Sequence, residues 1–471
     1  MNLSKMYLSV LLSISFTLGS FPVYGSAESN NTVEESNSQE NYTYLLKSPK
    51  QTKEVLEKMK NQYPSLNATA IEEIGLIYVE NSKNIDVNKI ENKIIEYIDV
   101  KGELPDLISP YEDTVTPNKI LNEVKQSILN ESKEPNQFDT NIAFPSLNSE
   151  TFTPFNWYLK DVTSDYKNLS IDTGDRSTIA LIDSGVDIEH PLIKENIDLT
   201  LAKNYVTNDM DITDELGHGT TIAGIMSSIA PETTIVPYKV VGNAGGESVW
   251  VIDAIIDAAN NDNGVISVSV GTYFIKSEKE DKLLIKAYER AVRYAKNKGA
   301  VVIASAGNDG FDLDELKKIK YKHLPGGLHD VITVSSNTKH NNLAYYSNFG
   351  KEVDFSAPGG SLFDDNGFTD TTEMIITTFP TDQLNTPLDQ SLGIPQGYTL
   401  TEGTSYAVPQ VSATAALIIS EYTERTGDKP SVNEVLKYLD RGSSDIGKRG
   451  RDSYFGEGKV NAYSSLMMIN K

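Results

Sequence analysis

Thr178-Ile179-Ala180-Leu181-Ile182, Thr234-Ile235-Val236-Pro237-Tyr238-Lys239-Val240, Gly264-Val265-Ile266-Ser267-Val268-Ser269-Val270, Ala300-Val301-Val302-Ile303-Ala304 and Asp330-Val331-Ile332-Thr333-Val334 are short runs rich in β-branched residues. They are largely apolar at successive positions instead of alternating, as strands are when both faces of their sheet are covered. Between and after them lie stretches with helical spacing, at 220–228, 249–260, 281–298 and 405–419. Strand and helix in this repeated order predict an α/β domain: a mostly parallel sheet with helices on both sides, three layers in all. Functional groups in such sheets gather at the carboxyl ends of the strands.

Three short blocks supply candidate groups there. They are Leu181-Ile182-Asp183-Ser184-Gly185, Gly217-His218-Gly219-Thr220 and Gly403-Thr404-Ser405, in the order Asp…His…Ser. Each has a plain structural reading when taken alone. Asp183 could form a turn, His218 could be an ordinary structural histidine, and Ser405 could cap the apolar helix that follows it. Together they hold what turns a weak hydroxyl into an acyl-transfer nucleophile. Serine attacks, histidine takes its proton, and aspartate orients the ring and stabilises its charged form. The glycines beside His218 read as clearing space for a ring that must meet a substrate. A fourth block, Ala304-Ser305-Ala306-Gly307-Asn308-Asp309-Gly310, closes a strand. Asn308 offers an amide donor to a developing oxyanion, beside the Ser405 N–H at the start of its helix.

From about residue 155 to 466 the chain resembles the subtilisin-like serine proteases (subtilases), whose triad runs in this same order. The resemblance implies a subtilisin-like three-layer fold. It assigns Asp183 as catalytic acid, His218 as base, Asn308 as oxyanion amide and Ser405 as nucleophile. Met374-Ile375-Ile376-Thr377-Thr378-Phe379-Pro380-Thr381, Pro395-Gln396-Gly397-Tyr398-Thr399-Leu400 and Asp354-Phe355-Ser356-Ala357-Pro358-Gly359-Gly360 look like stretches of the lantibiotic leader peptidases within that family. By the same resemblance, Ser269-Val270-Gly271 pairs with the acyl side of a substrate strand and Gly245-Gly246-Glu247 pairs on its other side. Asp309 is placed near the pocket for the residue before the cut and Glu247 near the next-but-one positions. Two carboxylates there favour a basic residue at the cut. Three departures stand out. Tyr406 follows the nucleophile where the family usually has Met, and Thr221 replaces a second histidine common after the His218 block. Met226-Ser227-Ser228-Ile229-Ala230-Pro231 runs straight on where many subtilases carry a longer loop for a tight calcium ion. No cofactor is expected to be required. Acidic turns such as Asp364-Asp365-Asn366 read as solvated surface charge, with weak calcium binding as the alternative.

The rest of the chain sets the context. It has 471 residues, 39% of them hydrophobic, which leaves room for a leader, a small domain and one large domain. A net charge of −24 argues against nucleic acid or an anionic membrane as partner. With no cysteine, thiol catalysis, Cys-ligated zinc and iron–sulfur clusters are excluded. Lys5, an apolar run from Tyr7 to Leu18 and Gly25-Ser26-Ala27 predict a signal peptide over 1–27, too short an apolar run for a comfortable membrane anchor. The expected protein is therefore secreted, from a Gram-positive bacterium, without a membrane anchor and monomeric. Residues 28–40 are polar. From about 42 the chain reads strand (41–47), helix (51–62), strand material (68–80) and helix (87–98), which suits a small α+β ferredoxin-like domain. By the family resemblance, 28–103 is the propeptide, a folding aid and inhibitor. Residues 104–150, rich in Pro, Asn, Ser and Glu with one helical stretch at 118–129, form a linker that includes the processing region, and 151–471 the catalytic domain.

The expected function is a secreted, self-processing endopeptidase that removes the leader from a lantibiotic-type precursor, with that precursor and its own propeptide as partners. Rates should fall below about pH 6, where a histidine base becomes protonated. The alternatives are a general degradative extracellular protease and a non-catalytic binding protein on the same fold.

Overall fold

The computed structural model describes residues 42–80, 87–102, 106–107 and 144–469. The expected signal peptide, the polar stretch 28–40 and the helix expected at 118–129 lie outside the described residues. Among those described, no helix is long and apolar enough to cross a membrane.

A seven-stranded sheet organises the body. Its strands run in the order Phe355–Pro358, Val331–Asn337, Val301–Ser305, Val265–Val268, Thr178–Asp183, Thr234–Lys239 and Lys203–Asn204, and every pairing is parallel. The five runs read from sequence are its five interior strands, and their composition follows from the layering. Ile179, Leu181, Val265, Val301 and Ile303 enter a core closed by the helices His218–Ile229 and Thr404–Thr426. Their alternates Ala180, Ile182, Ile266, Val268, Val302 and Ala304 enter a second core, under Ser248–Asn260 and Lys279–Asn297. Neither face meets water, so both are mostly apolar, and the buried hydroxyls of Ser267, Thr333 and Ser335 are hydrogen-bonded. The helix read as 405–419 extends over 404–426 and ends at Gly427, whose φ of +80° suits a glycine stop.

The N-terminal lobe has its own antiparallel sheet in the order Asn67–Ile71, Leu76–Glu80, Tyr42–Leu46, Ile98–Gly102, with helices Thr52–Gln62 and Val87–Ile94. This is the β-α-β-β-α-β order of a ferredoxin-like unit. Two local readings need correction. The strand material at 68–80 is a hairpin that turns at Gly75, where φ is +74°. The second helix stops at Ile94, and Ile98 opens the last strand because its neighbour Val100 is needed on the sheet's buried face. One face of this sheet, with Tyr44, Leu46, Ile77 and Val79, packs on the lobe's own helices. The other, with Leu45, Leu76 and Val100, joins the core beneath the helices Ser248–Asn260 and Lys279–Asn297. Arg290 pins this junction by donating to the carbonyls of Leu46 at 2.6 Å and Ile74 at 2.8 Å, with the Asp99 carboxylate at 3.3 Å.

Candidate active site

Asp183 is the last residue of a central strand, at its carboxyl end, and its side chain is fully buried. Its Oδ1 accepts from His218 Nδ1 at 2.7 Å and from the Ser184 N–H at 2.7 Å. The bond to a carboxylate assigns the proton to Nδ1 and leaves Nε2 as the basic nitrogen. His218 is the first residue of its helix. The flanking glycines do not open space around the imidazole, as the sequence reading has it; they allow close packing. A Cβ on Gly217 would stand 2.5 Å from the Phe379 ring, and one on Gly219 only 2.0 Å from the Gly185 carbonyl oxygen. The aspartate loop and the histidine helix touch backbone to backbone.

Ser405 is the second residue of Thr404–Thr426, so its N–H has no acceptor within that helix. Pro409, four residues on, has no N–H to give to the Ser405 carbonyl. That carbonyl instead accepts from Ser269 Oγ at 3.2 Å, and Ser405 Oγ donates to the Ser269 carbonyl at 3.1 Å. The serine and the expected substrate strand are thereby tied in both directions. Asn308, buried at the end of the strand Val301–Ser305, accepts on Oδ1 from the Thr404 N–H at 2.8 Å and from its hydroxyl at 2.7 Å. Two donors fix the amide's orientation, and its NH2 group is the end that remains to donate. The His218 ring lies 5.7 Å from that of Tyr406, the serine's neighbour. The structure thus brings the histidine and serine helices together, with Asn308 at the mouth of the latter.

The departures at Tyr406 and Thr221 account for each other. The buried Tyr406 hydroxyl bonds the side chains of Thr401 and Thr221, and burial raises its pKa. Behind them runs the hairpin Ile375–Thr378 and Tyr398–Thr401. Its Thr377 hydroxyl donates to the Thr221 carbonyl and its Thr378 hydroxyl to the Thr220 carbonyl, the latter fitting where Gly224 lacks a Cβ. Two of the three stretches that carry the leader-peptidase likeness therefore buttress the histidine, while Phe355–Pro358 of the third is an edge strand of the large sheet.

Ser269-Val270-Gly271 joins the strands Val265–Val268 and Thr272–Ile275 and is buried. Gly245–Glu247 pairs with Val241–Gly242 on one side. On its other side it pairs antiparallel with the chain's own Asp106–Leu107, matching Gly246 to Leu107 and Glu247 to Asp106. Asp309 is partly buried, and its carboxylate accepts from the Tyr273 hydroxyl. Asn348 donates to that same hydroxyl and to the Ala306 carbonyl, and accepts from the Phe311 N–H at 2.7 Å. Glu247 is exposed. The helix through Met226 runs without interruption to Ile229 before the next strand at Thr234. Asp364 Oδ1 accepts from the Asn366 and Phe368 N–H groups at 2.9 Å, a local turn.

Three groups escaped the sequence reading. Tyr273 and His323 flank the glycines of the expected substrate strand and of the Asn308 block: a Cβ on Gly271 would stand 2.9 Å from His323 Nε2, and one on Gly307 2.9 Å from the Tyr273 hydroxyl. Burial lowers the His323 pKa to about 4. Asp214 sits buried four residues before His218. No motif marks the first two. Asp214 lies three residues before the block of the histidine, and that proximity is the available signal.

Comparison with known proteins agrees with this geometry. The profile of the subtilase family matches residues 174–458. The chain is 29% identical over 356 residues to the epidermin leader peptide-processing serine protease of Staphylococcus epidermidis, covering 66% of this chain and 73% of that protein. It is 28% identical over 314 residues to the nisin leader peptide-processing serine protease of Lactococcus lactis, covering 58% of this chain and 45% of that protein. Among solved structures, a lanthipeptide protease is 42% identical with a TM-score of 0.65, over 67% of this chain and 95% of that one. The epidermin leader peptide processing serine protease from Staphylococcus aureus is 26% identical with a TM-score of 0.70, over 92% and 99%.

Proposed function

Because the chain belongs to the subtilase family and is a serine endopeptidase, we propose that it is secreted, removes its own N-terminal lobe, and then cuts the leader from a lantibiotic-type precursor peptide. Ser405 Oγ attacks the scissile carbonyl while His218 Nε2 takes its proton, and Asp183 holds the imidazolium that results. The Asn308 amide and the Ser405 N–H receive the oxyanion. His218 returns the proton to the leaving amine, and water releases the acyl group by the same steps in reverse order. The precursor lies as an added strand between Gly245–Glu247 and Ser269–Gly271, with Asp309 favouring a basic residue at the cut. No cofactor takes part in any of these steps.

The observation that carries the self-processing half is the pairing of Asp106–Leu107 with Gly246–Glu247. An extended segment of the chain's own N-terminal part already lies along the edge where a substrate strand would add, downstream of a lobe docked on the body through Arg290. The leader-peptidase half is supported by the relatives named above and by the likeness of the stretches at 374–381 and 395–400 to those of lantibiotic leader peptidases.

The test is direct. Full-length Ser405→Ala should keep the lobe joined to the body, as read by intact mass, while the wild type loses it. The matured wild type should make one cut in a lantibiotic-type precursor and leave casein nearly untouched. Rapid digestion of casein would favour a general degradative protease, and lobe removal in Ser405→Ala at the wild-type rate would end the self-processing claim.

A further inference from the structure

Asp214 is a carboxylate that the mechanism above does not use, at 2% exposure one turn before the histidine helix. Its Oδ1 accepts from Ser184 Oγ at 2.8 Å, the Gly217 N–H at 2.8 Å and the Leu216 N–H at 3.3 Å. Its Oδ2 accepts from the Thr220 N–H at 2.8 Å and the Thr220 hydroxyl at 2.7 Å. Burial pushes its carboxyl up, against the bonds from Thr220 and Ser184. Every one of those partners donates, on both oxygens, and only the ionised form can accept on both without losing a partner. The group is therefore a buried anion satisfied from all sides.

Its partners belong to the triad's supports. Ser184 follows Asp183, gives its N–H to Asp183 Oδ1 at 2.7 Å, and accepts the Gly219 N–H on its hydroxyl at 2.9 Å. Gly217 and Thr220 bracket His218, and the Thr220 hydroxyl also accepts the Asp187 N–H at 2.9 Å. The Asp214 carbonyl is itself held by the Gln383 side chain at 2.6 Å. One carboxylate thus bridges the loop that carries the acid and the helix that carries the base.

Resting on the triad reading, we propose that Asp214 is a positioning residue: it fixes the Asp183–His218 pair, and its charge stabilises the imidazolium formed as Ser405 gives up its proton. The charged and titratable groups around His218 include Asp183 on its strand, Tyr406 from the serine helix and Asp214 from the preceding loop. Beyond them lie Asp187, engaged with Thr381, and Lys239, whose ammonium donates to the Thr213 carbonyl and stands 3.8 Å from Glu215. Asp183 and Asp214 are the anions built into the buried network that holds the ring, and removing one charge leaves the imidazolium less favoured.

The experiment compares wild type with Asp214→Asn, Ser184→Ala and His218→Ala on a chromogenic peptide, each freed of its lobe by added wild-type enzyme that is then removed, with rates normalised to protein concentration. Asp214→Asn should lower kcat roughly 10- to 100-fold with KM within about twofold. It should also move the acidic limb of the kcat/KM profile down by roughly half a unit to one unit. Ser184→Ala keeps the charge and loses the tether, so kcat should fall while the limb stays in place. Asp214→Asn with an unmoved limb overturns the charge role, and with kcat near wild type it overturns the proposal. Should Asp214→Asn fail to mature, Ser184→Ala decides: unchanged kcat refutes the tether. His218→Ala separates the two claims, since high activity there would remove the triad reading itself.

Discussion

Two imidazoles are sunk almost equally deep in the body, His218 at 8% exposure and His323 at 3%, and they face opposite circumstances. His218 has the Asp183 carboxylate at 2.7 Å and a network of donors behind that carboxylate. His323 packs against the glycine backbones of Gly271 and Gly307 and the Tyr273 ring at 5.1 Å, and burial alone acts on it, lowering its pKa to about 4. Depth therefore does not decide whether a ring can take up a proton. The partner does, together with whatever holds the partner still.

The comparison breaks most readily at His218. With its lobe cut by added wild-type enzyme that is then removed, His218→Ala should cost roughly 10⁶ in turnover, the size of the loss known for the base of subtilisin, a relative in this family, while thermal unfolding stays close to that of the matured wild type. A loss below about a hundredfold would mean that this ring is not the base. Asp183→Asn should cost about 10⁴, as loss of the orienting acid does in serine proteases generally, and steady-state kinetics at saturating peptide reads it. Asn308→Ala should reduce kcat by about 10²–10³ with little change in KM, again a magnitude established on subtilisin.

His323 sharpens the other half. Its folded-state pKa lies below its unfolded value, so between about pH 6.5 and 4 the unfolded chain binds a proton that the folded chain refuses. The resulting stability is fully present above the unfolded pKa and falls by about 3 kcal/mol across that window. In an uncleaved Ser405→Ala background, denaturant titrations of His323→Leu against its parent should give a difference that is flat above pH 6.5 and changes by about that amount at pH 4. A difference curve level throughout would place His323 in a wetter site. The smallest effect belongs to Tyr406→Phe, which removes the hydroxyl joining Thr401 and Thr221 and should destabilise by about 1 kcal/mol, measured by the same titration.

How far these features were legible follows from where their causes lie. The five interior strands could be read because covering both faces leaves a run with few polar interruptions, whereas Lys203–Asn204 is two residues long and leaves no pattern. The hairpin at 375–378 and 398–401 shows in sequence only as a likeness, since about twenty residues separate its paired strands. The residues of the triad blocks are close together within each block, which is why they stand out. Asp214 does not, because Asp214-Glu215-Leu216 reads as a solvated turn until the Ser184 loop folds over it. Arg290 likewise reads as surface charge on an amphipathic helix, and only the docked lobe gives its guanidinium two carbonyls to bind.

The contact between Gly185 and Gly219 has a consequence for how such a chain can drift over generations. Tyr406 and Thr221 meet through flexible side chains, but at Gly219 even a single methyl group would collide with the Gly185 carbonyl. A saturation scan should find that inert position as intolerant as the reacting groups, a place where variation is forbidden by room alone.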